Sequence, residues 1–184
     1  MRSQPSQMDI NNLVLIRENV SRFLAYCGAN YCGTENDFLL DVAPQDHGGA
    51  RPYFPPNISI KTLDIDPKSG CDYVGDICCL NEALLKEQFR YVVCTEVLEH
   101  VLMPFDAVRE IERILKPGGY VFVTTPFNFR IHGPLPDCWR FTEHGLKQLF
   151  NRFDLVELTA LESEERSLMP VHYTLVARKP CSEL

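Results

Sequence analysis

Through residues 10–27, INNLVLIRENVSRFLAYC, apolar side chains recur at helical spacing: Ile10, Leu13, Val14, Ile16, Val20, Phe23, Leu24 and Cys27. This pattern predicts an amphipathic helix running into Gly28. The period then changes. FLLDV (38–42) is a short continuous apolar run of the kind a buried parallel strand shows, followed by a Gly/Pro-rich loop, APQDHGGARPYFPP. ISIKTLDI (58–65) predicts the next strand, DYVGDI (72–77) another short one, and NEALLKEQ (81–88) a helix. YVVCTEV (91–97) reads as a β-branched strand with a polar end. PFDAVREIERIL (104–115) predicts a helix with Pro104 in its first turn and Phe105, Val108, Ile111, Ile114 and Leu115 on one face. KPGG (116–119) predicts a helix stop and turn, and YVFVTTP (120–126) a strand. TEHGLKQLF (142–150) predicts a helix capped by Thr142, and FDLVELTAL (153–161) and VHYTLVARK (171–179) closing strands.

Strands alternating with helices predict an α/β fold: a Rossmann-like, mostly parallel sheet with helices on both faces and an antiparallel pair at one edge. No repeat, low-complexity stretch or long linker divides the chain, so residues 1–184 are expected to form one domain, with an N-terminal helix over 10–27 and a core over 36–179. The 15 residues from 43 to 57 leave room for only a short helix, or none, between the first two strands.

Composition narrows the classes. The chain has 184 residues, 45% hydrophobic and 23% charged, enough for a packed core. Its 18 basic and 25 acidic residues give a net charge of −7, which disfavours a nucleic-acid backbone as partner. No apolar run reaches the length of a membrane span, and MRSQPSQMDINN lacks the apolar stretch of a signal peptide. The eight cysteines form no C-x-x-C pair and no zinc-ligand spacing, so they read as reduced thiols of a cytoplasmic protein.

In open α/β sheets ligands bind beyond the carboxyl ends of the strands, so the polar residues that end each apolar run matter most. Asp64 ends the second strand, and a carboxylate can accept from both hydroxyls of a nucleoside ribose. Asp41 ends the first strand, about 23 residues upstream, and Asp76 follows the third, where it could meet an adenine amino group. Singly, each is as easily a turn or cap aspartate. Three at successive strand ends favour a nucleoside site.

The order LLDV…TLDIDP…DYVGDI…VVCTEVLEHV…AVREIERILKPGGYVFVTTP resembles the class I S-adenosylmethionine-dependent methyltransferases. EVLEHV and RILKPGGYVFVTTP look like the small-molecule branch that includes ubiquinone-type enzymes. HGPLPDCWRFTEHGL is similar to a segment of methyltransferases encoded beside cell-surface sugar assembly enzymes. The resemblance implies S-adenosyl-L-methionine as cofactor. Asp41 with Ala43 and Gln45 would hold its methionine end, Asp64 the ribose, Ile65 the adenine face, and Asp76 with Ile77 the adenine edge. Thr95 and Glu96 would line it through backbone groups. The family's acidic-x-Gly-x-Gly loop here reads Asp41-Val42-Ala43-Pro44-Gln45, with Gly48 and Gly49 placed to restore part of the turn.

Methyl transfer to oxygen or nitrogen needs an aligned acceptor and a base. His100, just past the fourth strand, is the expected base, a packing role being the equal alternative. His132, Asp137, Trp139 and Arg140, in a Pro/Gly-rich loop after the fifth strand, suit a sugar or anionic acceptor. A Trp139 core plug and an Asp137–Arg140 pair are the structural counterpart. Some relatives with E-x-x-E-H bind a divalent cation there, and Glu96, Glu99 and His100 share that spacing. Two carboxylates and one imidazole are an incomplete set for magnesium, so no metal is expected and Glu99 is read as structural. The sequence thus points to methyl transfer onto a small-molecule or glycan acceptor, with no nucleic acid, no membrane span and a possible homodimer. The alternatives are a catalytically silent fold-mate, favoured by Ala43 and Pro44, and a metal-dependent catechol-type O-methyltransferase.

Overall fold

The protein is described by a computed structural model covering residues 4–44, 49–163 and 166–181. In chain order it comprises α1 (Gln7–Asn30), β1 (Asp37–Val42), a 3-10 turn at Arg51–Tyr53, β2 (Ile58–Asp64), β3 (Tyr73–Val74) and β4 (Phe89–Thr95). There follow α2 (Pro104–Ile114), β5 (Leu115–Pro126), α3 (Glu143–Leu149), β6 (Asp154–Leu161) and β7 (His172–Arg178). One seven-stranded sheet has the order β3-β2-β1-β4-β5-β7-β6. β1 to β5 are mutually parallel, and β7 runs antiparallel between β5 and β6.

Neighbouring residues on the central strands point to opposite faces and divide the core in two. Leu39, Tyr91, Val93, Phe122 and Val176 face one side, where Phe23, Leu24 and Cys27 of α1 cover them. Leu40, Val92, Cys94, Val121, Val123 and Leu175 face the other, under Ala107, Val108, Ile111 and Ile114 of α2 and Leu146 and Leu149 of α3. Because both faces are buried, these strands carry runs of adjacent apolar residues, and each fully buried aliphatic side chain contributes about 1.5–3 kcal/mol.

Helix α1 is longer than its apolar periodicity suggests. Ser6 and Asp9 close a capping box at its start: the Ser6 side chain accepts from the Asp9 backbone N–H, and the Asp9 carboxylate from that of Ser6. Gly28 is not a stop. It lies inside the helix where a Cβ would stand 2.0 Å from the Tyr53 carbonyl oxygen, so its bareness lets α1 press on the 3-10 turn. That turn is all the helical structure between β1 and β2, as the 15-residue spacing foretold.

Two expected elements differ. Residues 81–88 form turns instead of a helix: Asn81 Oδ1 accepts from the Ala83 N–H, Arg113 donates to the Leu84 carbonyl, and Glu87 has φ +57°. A segment this short gains too few internal hydrogen bonds to outweigh those partners. KPGG does end α2, but its residues already belong to β5, with a register shift against β4 between Phe89 and Tyr91 and Gly118 at φ +72°. All eight cysteines are free. Among the described residues no helix is long and apolar enough to cross a membrane.

Candidate functional site

β1 and β4 are neighbours from which the chain winds to opposite sides of the sheet, making the switch point where such folds open a crevice. A cleft of about 1370 Å³ lies there. Its floor holds Asp41, Ala43, Thr95 and Glu96; α1 supplies one wall with Leu13, Arg17 and Val20; the segment after β5 supplies another with Ile131, His132 and Leu135.

Asp41 is buried at 3% exposure, and its Oδ2 accepts from the Ala50 N–H at 2.7 Å. Burial pushes its carboxyl up to about 6, against the lowering effect of that one hydrogen bond. Gly49, at φ +53°, passes so close that a Cβ there would sit 2.4 Å from Asp41 Oδ2. The turn that a glycine would make after the acid is made by Ala43 at φ +51°, its N–H donating to the Leu63 carbonyl. Left-handed backbone at an alanine costs about 1–2 kcal/mol. Gln45, expected near the ligand, lies outside the described residues, as do Asp46, His47 and Gly48.

Further along the strand tips, Asp64 Oδ1 accepts from the Asp66 N–H at 2.8 Å, which orients the carboxylate. Beside it the apolar Ile65 is 68% exposed, uncovered by any protein group. Asp76 Oδ1 accepts from the Cys78 N–H. Ile77 points into the core, so it can meet a ligand only through its backbone. These four stand along the rim next to the cleft rather than within its lining.

Glu96 meets the cleft through its side chain, because its N–H is taken by the Thr124 carbonyl. Its Oε1 accepts from the Thr124 hydroxyl at 2.8 Å and from His172 Nε2 at 2.6 Å. His172 is fully buried, and its Nδ1 accepts from the Asn19 amide of α1 at 2.9 Å. Glu96 adopts φ +54°, a left-handed conformation that turns the chain at the mouth of β4.

His100, the expected base, does not line the cleft. Its Nδ1 donates to the Pro136 carbonyl at 2.9 Å, and its ring packs edge-on against His132 with centroids 4.8 Å apart. Glu99 is fully buried, and neither carboxylate oxygen has a hydrogen-bond partner. Burial, then the charge of Glu96, pushes its carboxyl well up. The Glu99 carbonyl accepts from the N–H groups of Cys138 and Trp139, tying the 131–139 loop to the tip of β4.

Of the expected acceptor cluster, only His132 reaches the cleft. Arg140 holds Asp137 with two hydrogen bonds at 2.5 and 2.8 Å and donates to the carbonyls of Phe129, Arg130 and Trp139. Although burial opposes ionisation of Asp137, those bonds and the His132 N–H bring its carboxyl down to about 2. Trp139 is 41% exposed, stacks on Phe141 and donates to the Val101 carbonyl. Together Asp137 and Arg140 form the clasp that shapes this loop.

A family model described as a methyltransferase domain matches residues 17–161, most of the chain and every strand from β1 to β6. The chain belongs to the class I S-adenosylmethionine-dependent methyltransferases. Among solved structures, an S-adenosylmethionine-dependent methyltransferase of Methanosarcina mazei superposes with TM-score 0.63 at 19% identity, covering 84% of this chain and 97% of that one. The [4+2]-cyclase SpnF superposes with TM-score 0.68 at 16% identity, covering 90% and 81%. At such identities the likeness concerns the fold alone. A ubiquinone biosynthesis O-methyltransferase of Pseudomonas syringae pv. tomato is 49% identical over 41 residues, 22% of this chain. The chain spans under a fifth of that relative's length.

The residues present suit the methyl donor this family uses. A carboxylate at the tip of β2 beside a bare apolar side chain fits a ribose and an adenine face. A second carboxylate after β3 offers a further acceptor, and the buried Asp41, with Gly49 drawn tight against it, leaves a polar floor for the amino-acid end.

Sequence reasoning missed three parts of the site. The α1 wall carries no chemical motif, only an amphipathic pattern. The Asn19–His172–Glu96 chain joins residues 153 and 76 positions apart. His132 as a cleft group and His100 as one bonded to the Pro136 carbonyl follow from the fold of the 131–139 loop. The Ser6-x-x-Asp9 spacing was a readable sign of the longer helix.

Proposed function

We propose that the chain transfers a methyl group from S-adenosylmethionine to an oxygen or nitrogen of a small hydroxylated acceptor, either a sugar or an aromatic ring, with oxygen favoured. The observation that carries this reading is the line of acids Asp41, Asp64 and Asp76 along the strand tips, the first of them in the floor of an open cleft that also takes in Glu96 and His132. The local similarity to an enzyme named for O-methylation supports oxygen. When bound, the donor supplies an electrophilic sulfonium methyl group.

The protein's own part is alignment, exclusion of water and removal of a proton. Asp64 and Ile65 hold the nucleoside, and Asp41 the amino-acid end. Leu13, Ile131 and Leu135 offer apolar surface for one face of an acceptor ring, while α1 and the 131–139 loop shield the cleft. Glu96 takes the acceptor's proton. Its Oε1 is pinned by Thr124 and His172, which fixes the carboxylate against the cleft. His100, the base expected from sequence, is engaged beneath the loop instead.

The test is release of S-adenosylhomocysteine from S-adenosylmethionine in the presence of a panel of hydroxylated acceptors: catechols, hexoses and uronates. Acceptor-dependent release, reduced about 100-fold or more by Glu96→Gln with S-adenosylhomocysteine affinity unchanged, is the expected outcome. Release that is unaffected by Glu96→Gln would remove Glu96 from the reaction. A chain that binds S-adenosylhomocysteine but turns over no acceptor would favour a fold-mate that transfers nothing.

A further inference from the structure

A buried imidazole stands between helix α1 and the cleft. His172, the first residue of β7, has no exposed surface, and side chains of two other elements engage both its ring nitrogens. Nε2 lies 2.6 Å from Glu96 Oε1, and Nδ1 lies 2.9 Å from the Asn19 amide nitrogen of α1. A carboxylate oxygen only accepts, so Nε2 carries the ring proton; an amide NH₂ only donates, so Nδ1 keeps its lone pair. Both contacts demand the same tautomer, and the bond on the far side of the ring fixes the near one. The Thr124 hydroxyl also donates to Oε1, at 2.8 Å. Two donors thus occupy Oε1, whereas Oε2 has no hydrogen-bond partner among the described residues. The Glu96 side chain is 16% exposed and lines the cleft, so the oxygen open to a ligand is Oε2.

We propose that Asn19 and His172 are positioning residues for Glu96: Asn19 holds His172 in the Nε2–H tautomer, and His172 turns Oε2 toward the acceptor. The consequence for turnover rests on the proposed methyl transfer; the geometry does not. Leu13, Arg17 and Val20 wall the cleft within two turns of Asn19, so a single helix shapes the acceptor's seat and orients the base. The opposite tautomer would set the Nε2 lone pair against the carboxylate, a repulsion that burial magnifies, and would release Oε1. As the acceptor atom bonds to the transferred carbon, the carbon–sulfur electron pair stays with sulfur. The acceptor's proton passes to Oε2 and then to water at the open cleft. His172 keeps its own proton throughout, so it orients the base without relaying charge.

Heteronuclear NMR of the histidine rings in the full chain tests this geometry without any acceptor. His172, assigned by the loss of its signals in His172→Gln, should show a protonated Nε2 and an unprotonated Nδ1 at neutral pH. Glu96→Gln should move its Nε2 proton resonance upfield as the charge-assisted bond is lost. Asn19→Asp, which presents only acceptors to Nδ1, should protonate that nitrogen. An Nδ1–H tautomer in the parent, or a ring indifferent to both substitutions, would overturn the proposal. In turnover, His172→Leu should lower kcat about 10–100-fold, with the acceptor KM and the S-adenosylhomocysteine affinity unchanged. His172→Gln keeps a donor at the Nε2 position and should recover most of that loss. Asn19→Leu, at the half-buried end of the chain of bonds, should show the same split between kcat and KM even where His172→Leu does not fold. Parental kcat in both leucine variants, or no recovery in His172→Gln, would also overturn the proposal. A parent that shows the expected tautomer but turns over no acceptor would uphold the geometry and count against the transfer.

Discussion

At Asp41 a carboxyl group in the cleft floor is almost wholly withdrawn from water, with one backbone hydrogen bond among the described residues. Its pKa of about 6 lies above the 3.8 of an unfolded aspartate. The folded state therefore holds this proton more tightly. Stability from this group is fullest below about pH 4 and is lost as pH rises through about 6, by up to about 3 kcal/mol at neutral pH. Asp41→Asn keeps an acceptor for the Ala50 N–H and removes the charge. Denaturant unfolding should show it more stable than the parent at pH 7 and nearly equal at pH 4; equal differences at both would contradict the assignment. Such a charge, retained against stability, suits a group that meets a cationic amino group of a ligand. The acid itself was legible in the sequence, as the polar end of an apolar run. Its burial was not, because that depends on Gly49 and Ala50 folding back over it.

Among the elements, α1 has two duties: it covers one face of the sheet and walls the cleft. Its amphipathic pattern showed that one face is buried, but not against what. Central strands were located because burial on both faces leaves continuous apolar runs, with β1 and β2 read to within a residue at each end, β4 read two residues late and β5 beginning five residues before the expected start. Residues 81–88 were misread since their local propensity is overridden by Arg113 and Asn81, a tertiary effect with no local sign. Gly28 offers a test of the docking of α1. By helix propensity alone Gly28→Ala should stabilise by about 1 kcal/mol. The contact with the Tyr53 carbonyl reverses the sign, and a net loss of about 1–3 kcal/mol is expected in thermal or denaturant unfolding. A stabilised Gly28→Ala variant would mean that α1 does not press on the 3-10 turn as described.

For the molecule as a whole, one design principle covers the site. A parallel sheet gathers the ends of β1 to β4 on one edge, so residues at 41, 64, 76 and 96 become neighbours of a single crevice although they are far apart in the chain. That much follows from strand order, which is why the acids could be chosen from sequence. What could not be chosen was their division of labour. The hydrogen bond from the buried His172 gives Glu96 to the protein on one side, and a loop contact gives His100 to Pro136, and each pairing decides whether a group faces ligand or protein. SpnF, named for a cyclisation, shares the same fold, so architecture alone does not decide chemistry here. The account therefore stands on the nucleoside site. Calorimetric titration with S-adenosylhomocysteine, on the parent chain and on Asp64→Ala, addresses it directly. Saturable binding, weakened about 10–100-fold by loss of the ribose-facing carboxylate, is predicted. Absence of binding, or an affinity indifferent to Asp64→Ala, would contradict it.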